Sequence, residues 1–156
     1  MIRLLVADDQ ALVRGALASL LDLEDDLEVV AQVGRGDEVL EAARTARADV
    51  ALLDVEMPGA DGITAARTLA TAYPACRSLI VTTFGRPGYL RHALEAGASG
   101  FVVKDTPSAR LAAVVRRVAA GERVVDPALG ELTYRDNRVL RGPARLVVEH
   151  AGVWPA

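Results

Sequence analysis

Cysteine is nearly missing from this chain: Cys76 is the only one among 156 residues. No intramolecular disulfide can form, and a lone thiol near a strand start reads as a small semi-buried side chain rather than a reactive group. That fits a reducing, cytoplasmic setting. Long apolar runs are also scarce. None approaches the ~18 residues of a membrane-spanning helix. The apolar start, MIRLLVADDQ, is cut short by Asp8 and Asp9 before it could serve as a signal peptide. We therefore expect no membrane insertion. Charge of one sign is lacking too. A net charge of −3 and a pI near 5.4 give no general attraction for nucleic acid or anionic lipid. His92 and His150 stand singly, without metal-ligand spacing, and neither receives a role. No internal repeat or low-complexity segment breaks the chain.

What is present is a rhythm. Hydrophobic residues make up 51% of the sequence, enough for one well-cored globular domain. Five short apolar runs recur: IRLLVA (2–7), LEVVAQV (27–33), DVALL (49–53), RSLIVT (77–82) and GFVV (100–103). Several barely alternate between apolar and polar, which marks strands buried on both faces. Helical spacing fills gaps between them. Val13, Leu17, Leu20 and Leu21 share one face, as do Val39, Leu40 and Ala43. Leu111, Val114, Val115 and Val118 form a third stripe opposite Arg110, Arg116 and Arg117. Alternation of this kind implies right-handed crossovers and a doubly wound, five-stranded parallel sheet with helices on both faces. After Gly121 the rhythm fails. Residues 1–121 read as the α/β domain, 122–131 as a linker, and 132–156 as a tail.

Ligands of open parallel sheets bind where the strands end. Asp8 and Asp9 follow the first run, and Asp54 follows the third. The fourth run ends at Thr82 and Thr83, and Lys104 follows the fifth. Three carboxylates, a hydroxyl and an ammonium are thus predicted to share one edge. Carboxylates crowded in a poorly solvated cleft repel unless a cation joins them. Oxygen-only ligands and an incomplete protein shell favour Mg²⁺. Asp9 and Asp54 would bind it directly, with the backbone carbonyl of Glu56, and Asp8 could hold a metal-bound water. Asp54 could then attack phosphorus and form an acyl phosphate, with Lys104 and Thr82 stabilising the phosphoryl oxygens. Each residue also has a plainer reading. Asp8 or Asp9 could N-cap the first helix, and Asp54 could initiate the turn at Met57-Pro58-Gly59. Lys104 could be a solvated loop lysine, and Thr82 an ordinary strand residue. The five falling together on one edge favours the shared site.

The pair DD (8–9), LLDVEMPGADG (52–62), VTTF (81–84) and EAGASGFVVKD (95–105) together resemble the receiver domain of bacterial two-component response regulators. The resemblance runs from residue 2 to about residue 128. It implies a flavodoxin- or CheY-like fold and a phosphoryl group accepted on Asp54 from a sensor histidine kinase. By the same resemblance Asp8 and Asp9 bind the metal, Thr82 is the switch hydroxyl, Lys104 binds phosphate, and Phe101 is the switch aromatic. Phe101 reads equally well as a core aromatic. Asp105 stands where many receivers have proline, and the Lys-Asp pair is similar to the NarL/FixJ (LuxR-type) branch. TTFGRPGY and LLDLEDDLEVV point to its DesR-type subgroup.

In that branch a helix-turn-helix follows the receiver. LTYRDNRVL (132–140) looks like its opening, with Asp136 in place of Glu, but Gly142 and Pro143 would interrupt the first helix. The resemblance therefore implies a transcriptional regulator whose DNA-binding part is largely missing here. Promoter DNA becomes a partner only if a complete helix-turn-helix is present. Arg135, Arg138, Arg141 and Arg145 could contact phosphates, but read better as a solvated remnant. A homodimer formed on phosphorylation is the expected output, and a degenerate receiver acting as an interaction module is the alternative. A phosphatase that forms an aspartyl phosphate would use Glu56 as its second acid, yet lacks the matching nucleophile motif and a cap domain. A flavodoxin-like cofactor binder would need a phosphate loop where this chain has Asp8-Asp9-Gln10.

Overall fold

The computed structural model describes residues 1–83, 88–125 and 146–148. Among them run β1 (Ile2–Ala7), α1 (Ala11–Asp22), β2 (Leu27–Val33), α2 (Val39–Ala46), β3 (Val50–Leu53) and α3 (Gly62–Ala72). These are followed by β4 (Arg77–Thr82), α4 (Tyr89–Glu95), β5 (Gly100–Val103), α5 (Ser108–Ala119), β6 (Arg123–Val125) and β7 (Leu146–Val148). The strands form one parallel sheet in the order β2-β1-β3-β4-β5-β6-β7. Strand order reverses after β2, as doubly winding requires.

The apolar runs form strands because alternate residues feed two separate cores. Leu5, Ala7, Ala51, Leu53, Ile80 and Phe101 face Val39, Leu69, Leu90 and Ala93 of α2, α3 and α4. Leu4, Val6, Val50, Leu52, Leu79 and Val102 face Leu21 of α1 and Leu111, Val114 and Val118 of α5. Side-chain anchors fix α5 from its C-terminal end. Arg77 donates to the carbonyls of Ala119 (2.8 Å) and Val118 (3.3 Å), the second of which also accepts from the Gly121 N–H. Arg116 forks onto Asp26 at 2.8 and 2.9 Å and reaches Glu24 at 3.0 Å.

Two expectations need correction. The sheet has more than five strands. β6 lies inside the stretch expected to be a linker, and β7 inside the expected tail. Val124 and Val125 are fully buried, and the Val124 N–H donates to Ser99 O at 2.9 Å, so the packed domain runs past Gly121. A strand of three residues is too short to show a period in sequence, and its pairing with β5 is settled by the open sheet edge. On α1, Leu21 and Ala18 are buried, whereas Leu20 is 47% exposed despite sharing the apolar arc. Periodicity finds the arc but not which part of it meets the sheet. LTYRDNRVL, the four tail arginines and His150 lie outside the described residues.

If β6 is a packed strand, Val124→Ala costs about 1–3 kcal/mol in urea unfolding. Leu12→Ala, at an 87% exposed position, shifts stability by no more than about 0.5 kcal/mol. Equal, negligible effects would return residues 123–125 to a linker.

Candidate functional site

Strand register assembles the site. Ala7 pairs with Leu53 and Leu53 with Ile80, while Thr82 pairs with Val103. Backbone bonds carry the ladder one step beyond the strands. The Asp8 N–H donates to Val33 O (3.1 Å), the Asp54 N–H to Ala7 O (3.0 Å), and the Lys104 N–H to Thr82 O (2.7 Å). The residues predicted from sequence to converge are thus in one row for a backbone reason: parallel strands in register end together.

Asp8, Asp54 and Thr82 are buried, and Asp9 is exposed at the rim. Asp8, Asp9 and Asp54 each present a carboxylate oxygen within 4.8 Å of the others. The Lys104 ammonium lies 2.8 Å from Asp8 Oδ2 and 3.3 Å from Asp54 Oδ2. Asp8 is further held by the Gln10 N–H, which donates to its Oδ1 at 2.9 Å, and Arg14 donates to its backbone carbonyl at 2.6 Å. The N-cap of α1 is Gln10, and neither Asp8 nor Asp9 caps that helix. A cleft of about 350 Å³ opens above the row, lined by Asp9, Gln10, Asp54, Glu56, Thr82, Thr83, Tyr89 and Lys104.

The electrostatics are poised rather than satisfied. Burial lifts the Asp54 carboxyl above its ordinary range; Lys104 pulls it back, and the Asp8 carboxylate pushes it up again. Burial works against the Lys104 charge as well, but its hydrogen bond to Asp8 and the two carboxylates outweigh that loss and raise it. One ammonium thus faces two buried acids and an exposed third. A cation ligated by oxygen would complete the balance, and this donor set fits a hard divalent ion. The Cys76 thiol, pushed up to about 12 by burial and the Asp49 charge, is inert beside this chemistry.

Phe101 is fully buried on the face covered by α2, α3 and α4 and does not line the cleft. Tyr89 and Gln10, which do line it, escaped the reading of the sequence. Gln10 directly follows the acidic pair and was legible in principle. Tyr89 opens α4, and no local pattern aims that residue at Asp54.

A doubly wound parallel sheet with an acid–lysine cleft at its C-terminal edge is the architecture of an aspartate-based signal receiver. Residues 4–116 match the family described as the response regulator receiver domain, and the chain belongs to that family. Among curated proteins it is similar to the transcriptional regulatory protein DesR of Bacillus subtilis strain 168. The two are 40% identical over 149 residues, spanning 96% of this chain and 74% of DesR. The transcriptional regulatory protein YvfU of the same organism is also 40% identical over 149 residues, spanning 90% and 74%. Among solved structures, the receiver domain of the response regulator NarL from Mycobacterium tuberculosis superposes with a TM-score of 0.74. It is 32% identical, and the match covers 78% of this chain and 98% of that one. A LuxR-family response regulator from Aurantimonas gives 0.80 at 29% identity, over 87% and 97%. The chain is therefore a two-component receiver related to transcriptional regulators. Among the described residues no helix is long and apolar enough to cross a membrane.

The raised position of Asp54 has a consequence for stability. An acid whose folded value lies above its unfolded one is stabilising only while protonated, and that contribution is lost as pH rises. Asp54→Asn therefore raises the thermal midpoint of metal-free protein at about pH 7, and the gain shrinks as pH falls and vanishes below about pH 3, where the unfolded acid is itself protonated. Thermal unfolding in chelator at both values checks this. A lower midpoint at neutral pH would show that the carboxylate is net stabilising.

Proposed function

We propose that the chain is a phosphorylation switch, with Asp54 the residue that accepts the phosphoryl group. The observation that carries this reading is the trio Asp8, Asp9 and Asp54 around one space, with Lys104 within 3.3 Å of two of them. An Asp54 oxygen attacks the phosphorus of a phosphohistidine on a sensor histidine kinase. The P–N bond breaks, and the imidazole leaves with a proton while the acyl phosphate forms. Asp8, Asp9, Asp54 and the Glu56 carbonyl would hold Mg²⁺, which supplies charge neutralisation for the phosphoryl oxygens. Lys104 surrenders its contact with Asp54 to the incoming phosphoryl group, and the Thr82 hydroxyl donates a hydrogen bond to it. Water later hydrolyses the acyl phosphate. The chain is the acceptor in this transfer rather than an enzyme turning over a separate substrate.

Output follows from Thr82 and Phe101. When Thr82 closes on the phosphoryl group, Phe101 repacks on β5 and alters the surface of α4, β5 and α5. The expected result is a homodimer. Promoter DNA joins as a partner where a complete helix-turn-helix accompanies the receiver, as the names of the relatives as transcriptional regulators suggest. A cytoplasmic setting is part of this reading.

Intact mass after incubation with acetyl phosphate and Mg²⁺ tests the proposal. One labile phosphoryl adduct is expected on the wild type, and none on Asp54→Asn or in chelator. Lys104→Ala slows its formation by about 10²-fold or more. Thr82→Ala still becomes phosphorylated but does not shift towards dimer in light scattering. A folded wild type that takes no adduct would leave a degenerate receiver working as an interaction module.

A further inference from the structure

The loop after Asp54 is held at its base and at its tip, by different parts of the fold. At its base, the Gly62 N–H donates to Val55 O at 2.8 Å, and a Cβ on Gly62 would lie 2.0 Å from Asp54 O. Only a bare Cα permits α3 to start that close to the acceptor strand. The tip is held by a different segment, a 3₁₀ turn at Gly36–Glu38 between β2 and α2. The Gly36 N–H donates to Pro58 O at 3.1 Å, and a Cβ at Gly36 would lie 1.8 Å from Ala60 O. Gly59, at φ +81°, presses its bare Cα on the Asp37 carboxylate, where a Cβ would come within 2.4 Å of Asp37 Cγ. That carboxylate is fixed in turn by a two-point bond from Arg35, with Nε to Oδ1 and NH2 to Oδ2 both at 3.0 Å.

Glu56 therefore lies between two anchored points, Val55 bonded to Gly62 and Pro58 bonded to Gly36. Proline at 58 further restricts the backbone of Met57 to extended geometry. With both ends and the interior constrained, the backbone from Val55 to Pro58 has little conformational freedom left.

We infer that Gly36 and Asp37 are positioning residues for the metal end of the cleft, setting Mg²⁺ affinity through the Glu56 carbonyl without touching the ion. The inference rests on the metal reading of Asp8, Asp9 and Asp54. It adds a route by which the β2–α2 turn, and anything that moves α2, reaches the acceptor site. Supports of this kind behind a metal ligand commonly govern affinity by about 10–100-fold.

Calorimetric titration of the full chain with Mg²⁺, without phosphodonor, tests it. Asp37→Ala is expected to weaken binding by about 10-fold while the unfolding midpoint in chelator stays near wild type, since Arg35 and Asp37 are both about half exposed. Gly36→Ala weakens it at least as much. Gly59→Ala weakens it too, since its Cβ would strike the Asp37 carboxylate and φ +81° strains any side chain there. Phosphorylation of Asp37→Ala by acetyl phosphate recovers at saturating Mg²⁺, which separates weak binding from a damaged acceptor. Asp9→Asn is the control. Wild-type affinity in Asp37→Ala and Gly36→Ala, with binding lost in Asp9→Asn, overturns the inference and leaves the metal reading intact. Wild-type affinity in Asp9→Asn overturns both. Should Gly36→Ala fail to fold, Asp37→Ala decides alone.

Discussion

Everything at the functional end of this molecule depends on carboxylates gathered at the ends of neighbouring parallel strands. Two unit charges about 4 Å apart interact by about 4 kcal/mol at an effective dielectric near 20. The repulsion of Asp8 and Asp54 and their attraction to Lys104 are of comparable size and opposite sign. One ammonium, 2.8 Å from one acid and 3.3 Å from the other, offsets only part of the negative charge of the three carboxylates. Such a site is ready to take up a cation or exchange its counter-charge. It is also a place where stability gives way to function, because burial alone already presses Asp54 towards its neutral form.

The remainder of the fold can be understood as the support that such an arrangement requires. Two cores, one on each sheet face, lock the strands so that their ends cannot drift apart. The backbone ladder extends past the strand ends through the N–H groups of Asp8, Asp54 and Lys104, so polar residues inherit the rigidity of the sheet. The loop that follows Asp54 lacks a ladder of its own and is braced instead by glycines set against neighbouring backbone. Sites placed on rigid elements keep their geometry better than sites on free loops.

Much of this was legible in one dimension. The runs at 2–7, 27–33, 77–82 and 100–103 coincide with β1, β2, β4 and β5, and 49–53 overruns β3 by one residue. Burial on both faces leaves a continuous apolar signal that is hard to mistake. Leu111, Val114, Val115 and Val118 are all buried on α5, as their spacing implied. The helices α3 and α4 were implied only by the alternation. α3 is rich in alanine and threonine, and α4 spans seven residues, so neither offers a long apolar stripe. β6 escaped because three residues carry no period, and the exposure of Leu20 escaped because a wide apolar arc leaves the rotation of a helix open.

Residue order alone sets the chemistry: which acids, hydroxyl and ammonium stand at or just beyond the ends of β1, β3, β4 and β5, and hence that they meet if the strands run parallel. That inference needs only chain direction and the period of a strand. Tertiary structure alone decided the separations, which carboxylate Lys104 contacts more closely, and that Asp8 serves the cleft rather than the helix after it. It also decided that Tyr89 lines the site and that a turn before α2 braces the loop after β3. These depend on contacts between segments far apart in the chain, where distance is set by close packing of both cores and leaves no local pattern to read.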